Sequence, residues 1–384
     1  MGIDILIIGN GFDLAHDLET RYKDFLDFCF YSKDTKYVSF REVNFWFKHF
    51  YTRKDYLGDT WIDLEEEIFL VIKSIKSYYR TEDMKIILTD FPLEYHFIKD
   101  NSNMDLANLN GYMRKPANPF AVDKCGYAIY PDIKSSCANA YIASYNGFIN
   151  FLYEQLREFT KMFEQYLQKE VIDGIDKSKK YRLVLDSRRI NDGLKDWVVS
   201  FNYTNTIEIL YNGEKLRHPP VYIHGAINKE RSCNLVLGTK SFENLTSDGK
   251  LDIPYEFNIF KKYTQRHQYR TVIEFQNLLR ELDKQKSATE KAGNDLSDFL
   301  AYHIIGHSLN ETDHDILRHL LNAVEKAPIY IYYYDNEEAH KKLIDNITHI
   351  LDESSATRRV LFIKQHDEKN GILRKNIPEY ARFS

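Results

Sequence analysis

Cysteine is scarce in this chain. The four that occur, Cys29, Cys125, Cys137 and Cys233, form no C-x-x-C pair and show no metal-ligand spacing. That excludes a zinc module and a disulfide framework, and the reading is of reduced thiols in a cytoplasmic protein. No apolar run approaches the ~20 residues of a membrane span. The first apolar run is short and has no basic segment before it, so a signal peptide is not expected. Two signatures of common chemistry are missing: there is no G-x-x-x-x-G-K-[ST] phosphate loop and no G-x-S-x-G nucleophile turn. Excess positive charge is absent too. A formal net charge of −5 makes nucleic acid an unlikely partner class. No internal repeat or low-complexity tract appears. What is abundant is apolar and aromatic: 43% hydrophobic and 14% aromatic residues suffice for a large core rich in Tyr and Phe.

The chain is organised around its first stretch. Ile3, Ile5, Leu6, Ile7 and Ile8 form an apolar run with little alternation, which reads as a strand buried on both faces. Gly9-Asn10-Gly11 follows, permitting a tight turn and a close approach to a ligand. Phe12 to His16 reads as the first turn of a helix whose N–H groups can face an anion. Gly9-Asn10-Gly11 lacks the third glycine of a dinucleotide fingerprint, so a ligand-free strand-to-helix turn stays open as a reading.

Further along, helical spacing marks Thr20 to Phe30, Trp61 to Tyr79 and Tyr141 to Val171. Asn101 to Ser136 reads as an irregular excursion. Strands are expected at Trp197–Phe201, Val221–Ile223, Leu235–Gly238, Tyr302–Ile305, Ile329–Tyr334 and Val360–Lys364. Pro254 to Leu282 reads as helical with a basic side at Lys261, Lys262 and Arg266. A helix is also expected from Asn336. Several strands end in a short polar motif, and open parallel sheets bind ligands at such ends. The fold class expected is α/β, with a Rossmann-like, mostly parallel sheet built from residues 1–20 and 181–384. Residues 21–180 are expected to form a mainly helical insertion.

Each motif admits two readings. Asn202 can orient a water or a ribose hydroxyl, or bond its own turn. His224, before Gly225, is a candidate general base or a packed strand-end histidine. Gly306 to Leu309 offers N–H groups and a hydroxyl to phosphate or ribose, or is an ordinary turn. Asp313 and Asp315 read as caps of the next helix. Asp63, Glu65, Glu66 and Glu67 suit a helix dipole better than a magnesium site.

The stretches IDILIIGNGFDLAHDLETRYKDF, WIDLEEEI, SFNYTNT, YIHGAI with LVLG behind it, and IIGHSLNETD together resemble the AbiH family of bacteriophage abortive-infection proteins. The chain departs in its opening loop, where the family often reads HGLPT and His16-Asp17-Leu18-Glu19-Thr20 stands here. The motif order is also remotely similar to that of sirtuin-type NAD-binding proteins. That second resemblance implies NAD as substrate, cleaved to nicotinamide and an ADP-ribose product, with no metal. It implies catalytic roles for Asn202, holding water or ribose, and for His224, acting as base. It places Gly9, Asn10, Gly11, Phe12, Asp13, Thr204, Gly225, Gly306, His307, Ser308 and Leu309 around the nucleotide. Sirtuins carry an acid two residues after the asparagine, where this chain has Thr204, and their zinc module is missing.

The expectation is therefore a cytoplasmic phage-defence effector that binds and hydrolyses NAD. Its further partners would be a second copy of the chain or another defence protein. Two other classes remain: a non-catalytic nucleotide-sensing module, and a metal-dependent nuclease built on Asp63 and its neighbours.

Overall fold

A computed structural model describes residues 3–57, 64–78, 145–175, 182–183, 197–211, 216–227, 233–239, 255–333, 337–364 and 373–374. The chain divides into two compact units. One comprises Met1–Arg21, Glu164–Val236 and Arg266–Ser384; the other comprises Tyr22–Phe163 and Leu237–Gln265.

The first unit holds a six-stranded, all-parallel sheet. Its strands are β1 (Ile3–Ile8), β2 (Trp197–Ser200), β3 (Val221–Tyr222), β4 (Leu300–Ile305), β5 (Ile329–Tyr333) and β6 (Val360–Lys364). Their order across the sheet is β3-β2-β1-β4-β5-β6, the doubly wound order in which the chain reverses direction at β1. The lack of alternation in β1 now has its cause. Ile5 and Ile7 enter one core with Leu278, Leu317, Leu320 and Ile347, while Leu6 and Ile8 enter the other with Phe12, Ile207 and Tyr211. A strand covered on both sides needs apolar residues at every position. Register pairs Ile8 with Ser200 and with Ile305, and Ser200 with Tyr222. Gly9, Phe201, Ile223 and Gly306 therefore leave the sheet at one level, at its carboxyl edge.

The second unit is helical over much of its described length, with helices at Tyr22–Tyr31, Thr35–Val43, Phe45–Leu57 and Leu64–Tyr78. Helix Tyr145–Tyr166 supplies the apolar face expected of it. Phe159 is fully buried, with ring contacts to Phe25, Phe40 and Phe50. The Trp46 indole donates to the Leu152 carbonyl at 2.8 Å. Glu65 accepts from Lys262 at 2.6 Å, and Glu67 meets His49 at 3.2 Å. Among the described residues no group of three His, Cys, Asp or Glu could hold a metal ion.

Several expectations require correction. Leu235–Gly238 is buried but forms no strand. The Gln265 side chain accepts from Leu237 N–H and donates to Leu237 O, replacing a strand ladder. Pro254–Leu282 is not one helix. A 3₁₀ turn at Tyr255–Phe260 precedes helix Lys262–Gln268, and Arg270, at φ 61°, separates it from helix Val272–Lys291. The basic side is not a solvated face: Lys262 and Arg266 are both buried and ion-paired, Arg266 with Asp315. The first helix begins at Asn10, two residues before Phe12. The excursion at Asn101–Ser136, together with Cys125, Cys137 and Asp63, lies outside the described residues.

Candidate functional site

The turn after β1 packs directly on the loop after β4. Gly9 N–H donates to Ile305 O at 3.0 Å, Gly11 N–H to Gly306 O at 2.8 Å, and Phe12 N–H to Gly9 O at 2.8 Å. A Cβ on Gly9 would lie 2.6 Å from His307 Cα, and one on Gly11 2.7 Å from Gly306 Cα. Gly306 adopts φ 63°, and a Cβ there would overlap Phe12 N. The glycines thus serve a crossing of two strand ends. The N–H groups of Gly9, Gly11 and Phe12, at the turn expected to face an anion, are bonded within the chain. Asn10 Oδ1 accepts from Thr20 Oγ1 at 2.6 Å, and Ser308, exposed, accepts at its carbonyl from Asn346 Nδ2 at 2.9 Å. Phe12 and Leu309 are core residues, Leu309 at φ 57°.

Beside this crossing lies a buried polar cluster. Asp13, on the first helix, accepts at Oδ2 from the Thr204 hydroxyl, and Thr206 donates to Thr204 at 3.1 Å. Burial pushes the Asp13 carboxyl up to about 7; Thr204, Thr206 and Asn202 pull against that rise. The Asn202 amide thus lies near enough to favour the charged carboxylate, yet makes no hydrogen bond of good geometry with it. Among the described residues neither Asn202 Nδ2, Asn202 Oδ1 nor Asp13 Oδ1 has a hydrogen-bond partner. Asn202 does not bond its own turn through its side chain, so the bland reading of that residue fails.

A second cluster adjoins the first through the residues flanking Asn202. The rings of Phe201 and Tyr203 lie 5.5 and 6.2 Å from that of His224. His224 Nε2 meets Asp313 Oδ1 at 3.0 Å, and His307 Nε2 faces Asp313 Oδ2 at 3.5 Å. His307 Nδ1 accepts from Leu309 N–H at 2.9 Å, which assigns the ring proton to Nε2, toward Asp313. With Nε2–H of His224 donating to Asp313, Nδ1 is the basic nitrogen of that ring. Phe201 also packs edge-on against His307, centroids 4.3 Å apart. Gly225 adopts φ 76° beside Asn234, which turns the chain sharply after His224.

The structure therefore gathers Asp13, Asn202, Thr204, His224 and His307 at one sheet edge, from the ends of four strands. It adds Asp313, which was read from sequence as a helix cap. Asp313 makes no capping bond to helix His314–Ala323, because both carboxylate oxygens turn toward histidines. Asp315 likewise turns to Arg266.

The family model for bacteriophage abortive infection AbiH matches residues 5–335. The chain belongs to the AbiH family. Neither curated proteins nor solved structures match it. As an AbiH protein it has a phage abortive-infection role, and the matched span includes the ends of β1, β2, β3 and β4. The loop departs from the pattern expected of the family at Asp17 and Glu19, and Asp17 has φ 59°. A glycine is at ease in that left-handed conformation, and Asp tolerates it better than most residues. Among the described residues no helix is long and apolar enough to cross a membrane.

Proposed function

We propose that this AbiH protein binds NAD and cleaves it to nicotinamide and ADP-ribose as its means of abortive infection. The observation that carries this reading is the Asn202 side-chain amide, buried with no hydrogen-bond partner among the described residues, at the same sheet edge as a histidine held by a carboxylate. Such an arrangement suits a reaction in which a sugar must be gripped while a proton is moved. The C1′–N bond breaks with its electron pair going to the nicotinamide nitrogen, leaving an oxocarbenium-like ribose. Water adds to C1′. His224 accepts the proton released by the hydroxyl or water, and Asp313 steadies the imidazolium that results. The ionised Asp13 carboxylate favours positive charge developing on the ribose.

Incubating the protein with NAD and following nicotinamide release tests the proposal. Steady release, lost in His224→Ala, is expected. NAD that binds but survives intact would leave the nucleotide-sensing reading. Metal-dependent cleavage of DNA or RNA without nicotinamide release would favour the nuclease reading.

A further inference from the structure

Asp13 and Asn202 are 1% and 4% exposed, and together they present three polar atoms with no hydrogen-bond partner among the described residues. Leaving a buried donor or acceptor unmet costs roughly 1–3 kcal/mol each, so such a group in a native site points to a missing partner. The chemistry of the atoms limits what that partner can be. Asp13 Oδ2 is held by Thr204, and Thr204 is held in turn by Thr206, so Oδ1 alone faces the ligand. The ionised carboxylate only accepts, whereas the Asn202 amide both accepts and donates. A phosphate beside Asp13 would meet like charge. A metal ion would find one carboxylate oxygen and one amide, and no group of three ligands exists among the described residues. A pair of neighbouring hydroxyls meets every requirement: one donates to Asp13 Oδ1, and the other donates to Asn202 Oδ1 and accepts from Nδ2.

We propose that Asp13 and Asn202 form a recognition pair for the vicinal hydroxyls of a ribose, so that the site takes ribonucleotides and discriminates against sugars lacking one hydroxyl. The proposal rests on the reading of this edge as a nucleotide site and names what selects the substrate there. The carboxyl, raised to about 7, supports the assignment: near neutral pH both its forms are populated, and a hydroxyl can pair with either.

Calorimetric titration of the full chain tests it, using NAD, ADP-ribose, ATP and GTP, each against forms lacking the ribose 2′- or 3′-hydroxyl. At least one ribonucleotide should bind about tenfold or more tightly than its deoxy form, because a site built to bond a hydroxyl is left with unmet polar groups without it. Asp13→Asn should reduce that preference to within about twofold while the protein stays folded. Asn202→Ala supplies the same comparison should Asp13→Asn fail to fold. NAD bound with no hydroxyl preference, or a preference unchanged in both variants, overturns the pair and leaves the NAD reading intact. A preference shown for another ribonucleotide while NAD is ignored, and abolished by the substitutions, overturns the NAD reading and supports the pair. No ribonucleotide preferred over its deoxy form overturns the pair.

Discussion

A carboxyl buried as deeply as that of Asp13 ties folding to pH. Its folded value near 7 lies above the ordinary carboxylate value, so between about pH 4 and pH 7 the folded state holds more protons than the unfolded one. Stability from this group is therefore highest at the acid end of that window and falls as pH rises through it. The loss is on the order of 2–4 kcal/mol by full ionisation. Asp13→Asn removes the charge and keeps an acceptor for Thr204. The variant should gain on the wild type as pH rises, which urea midpoints at about pH 5 and about pH 8 will show. In the proposed mechanism Asp313 acts one step away from the chemistry, through His224 and His307. Asp313→Asn should lower the rate of NAD cleavage by roughly 10²-fold or more with KM and melting temperature little changed, since it orients the base without touching the ribose. A fall in KM-independent rate matched by a large loss of stability would make Asp313 a structural residue only.

At the scale of elements, each unit has one contact whose loss can be measured. The β1 turn and the β4 loop cross so closely that glycines are required on both sides. Gly306→Ala should destabilise the protein by roughly 2 kcal/mol or more, measured by thermal melting, through strain at φ 63° and overlap with Phe12. The same crossing implies that a side chain at Gly11 disturbs the fold and not ligand binding alone. In the second unit, helix Tyr145–Tyr166 is fastened by Phe159 against three aromatic rings. Phe159→Asp should lower the melting temperature sharply, because an unpaired charge in that ring cluster loses both packing and hydration. An unchanged melting temperature would mean that the face is not buried.

At the scale of the whole molecule, the doubly wound strand order explains why motifs far apart in sequence lie together. The change of direction falls at β1, and the residues after β1, β2, β3 and β4 meet at the carboxyl edge around it. His224→Ala and Asn202→Ala should each reduce NAD cleavage by about 10²–10⁴-fold, and the double variant should fall little further because each residue needs the other's placement. Phage protection in a plaque assay should decline in step with cleavage. Protection that survives both substitutions would separate defence from NAD chemistry.

Local apolar patterning by itself determined the parallel strands β1, β2, β4, β5 and β6, because a strand covered on both faces must be apolar throughout, and that pattern is written in contiguous residues. The motif set was equally legible: it named Asn202, His224 and His307, and it marked the family. Only the tertiary structure decided the partners. Asp313 lies in a stretch that reads as a helix start, and nothing local reveals that its carboxylate turns away from the helix to two histidines. Leu235–Gly238 has the composition of a strand, yet its backbone bonds to the side chain of Gln265, a residue remote in sequence. Thr204 stands where an acid was expected from resemblance, and the acid it meets is Asp13, from the far end of the chain. Hydrogen bonds between groups so distant in sequence depend on strand order and register, which no single stretch encodes.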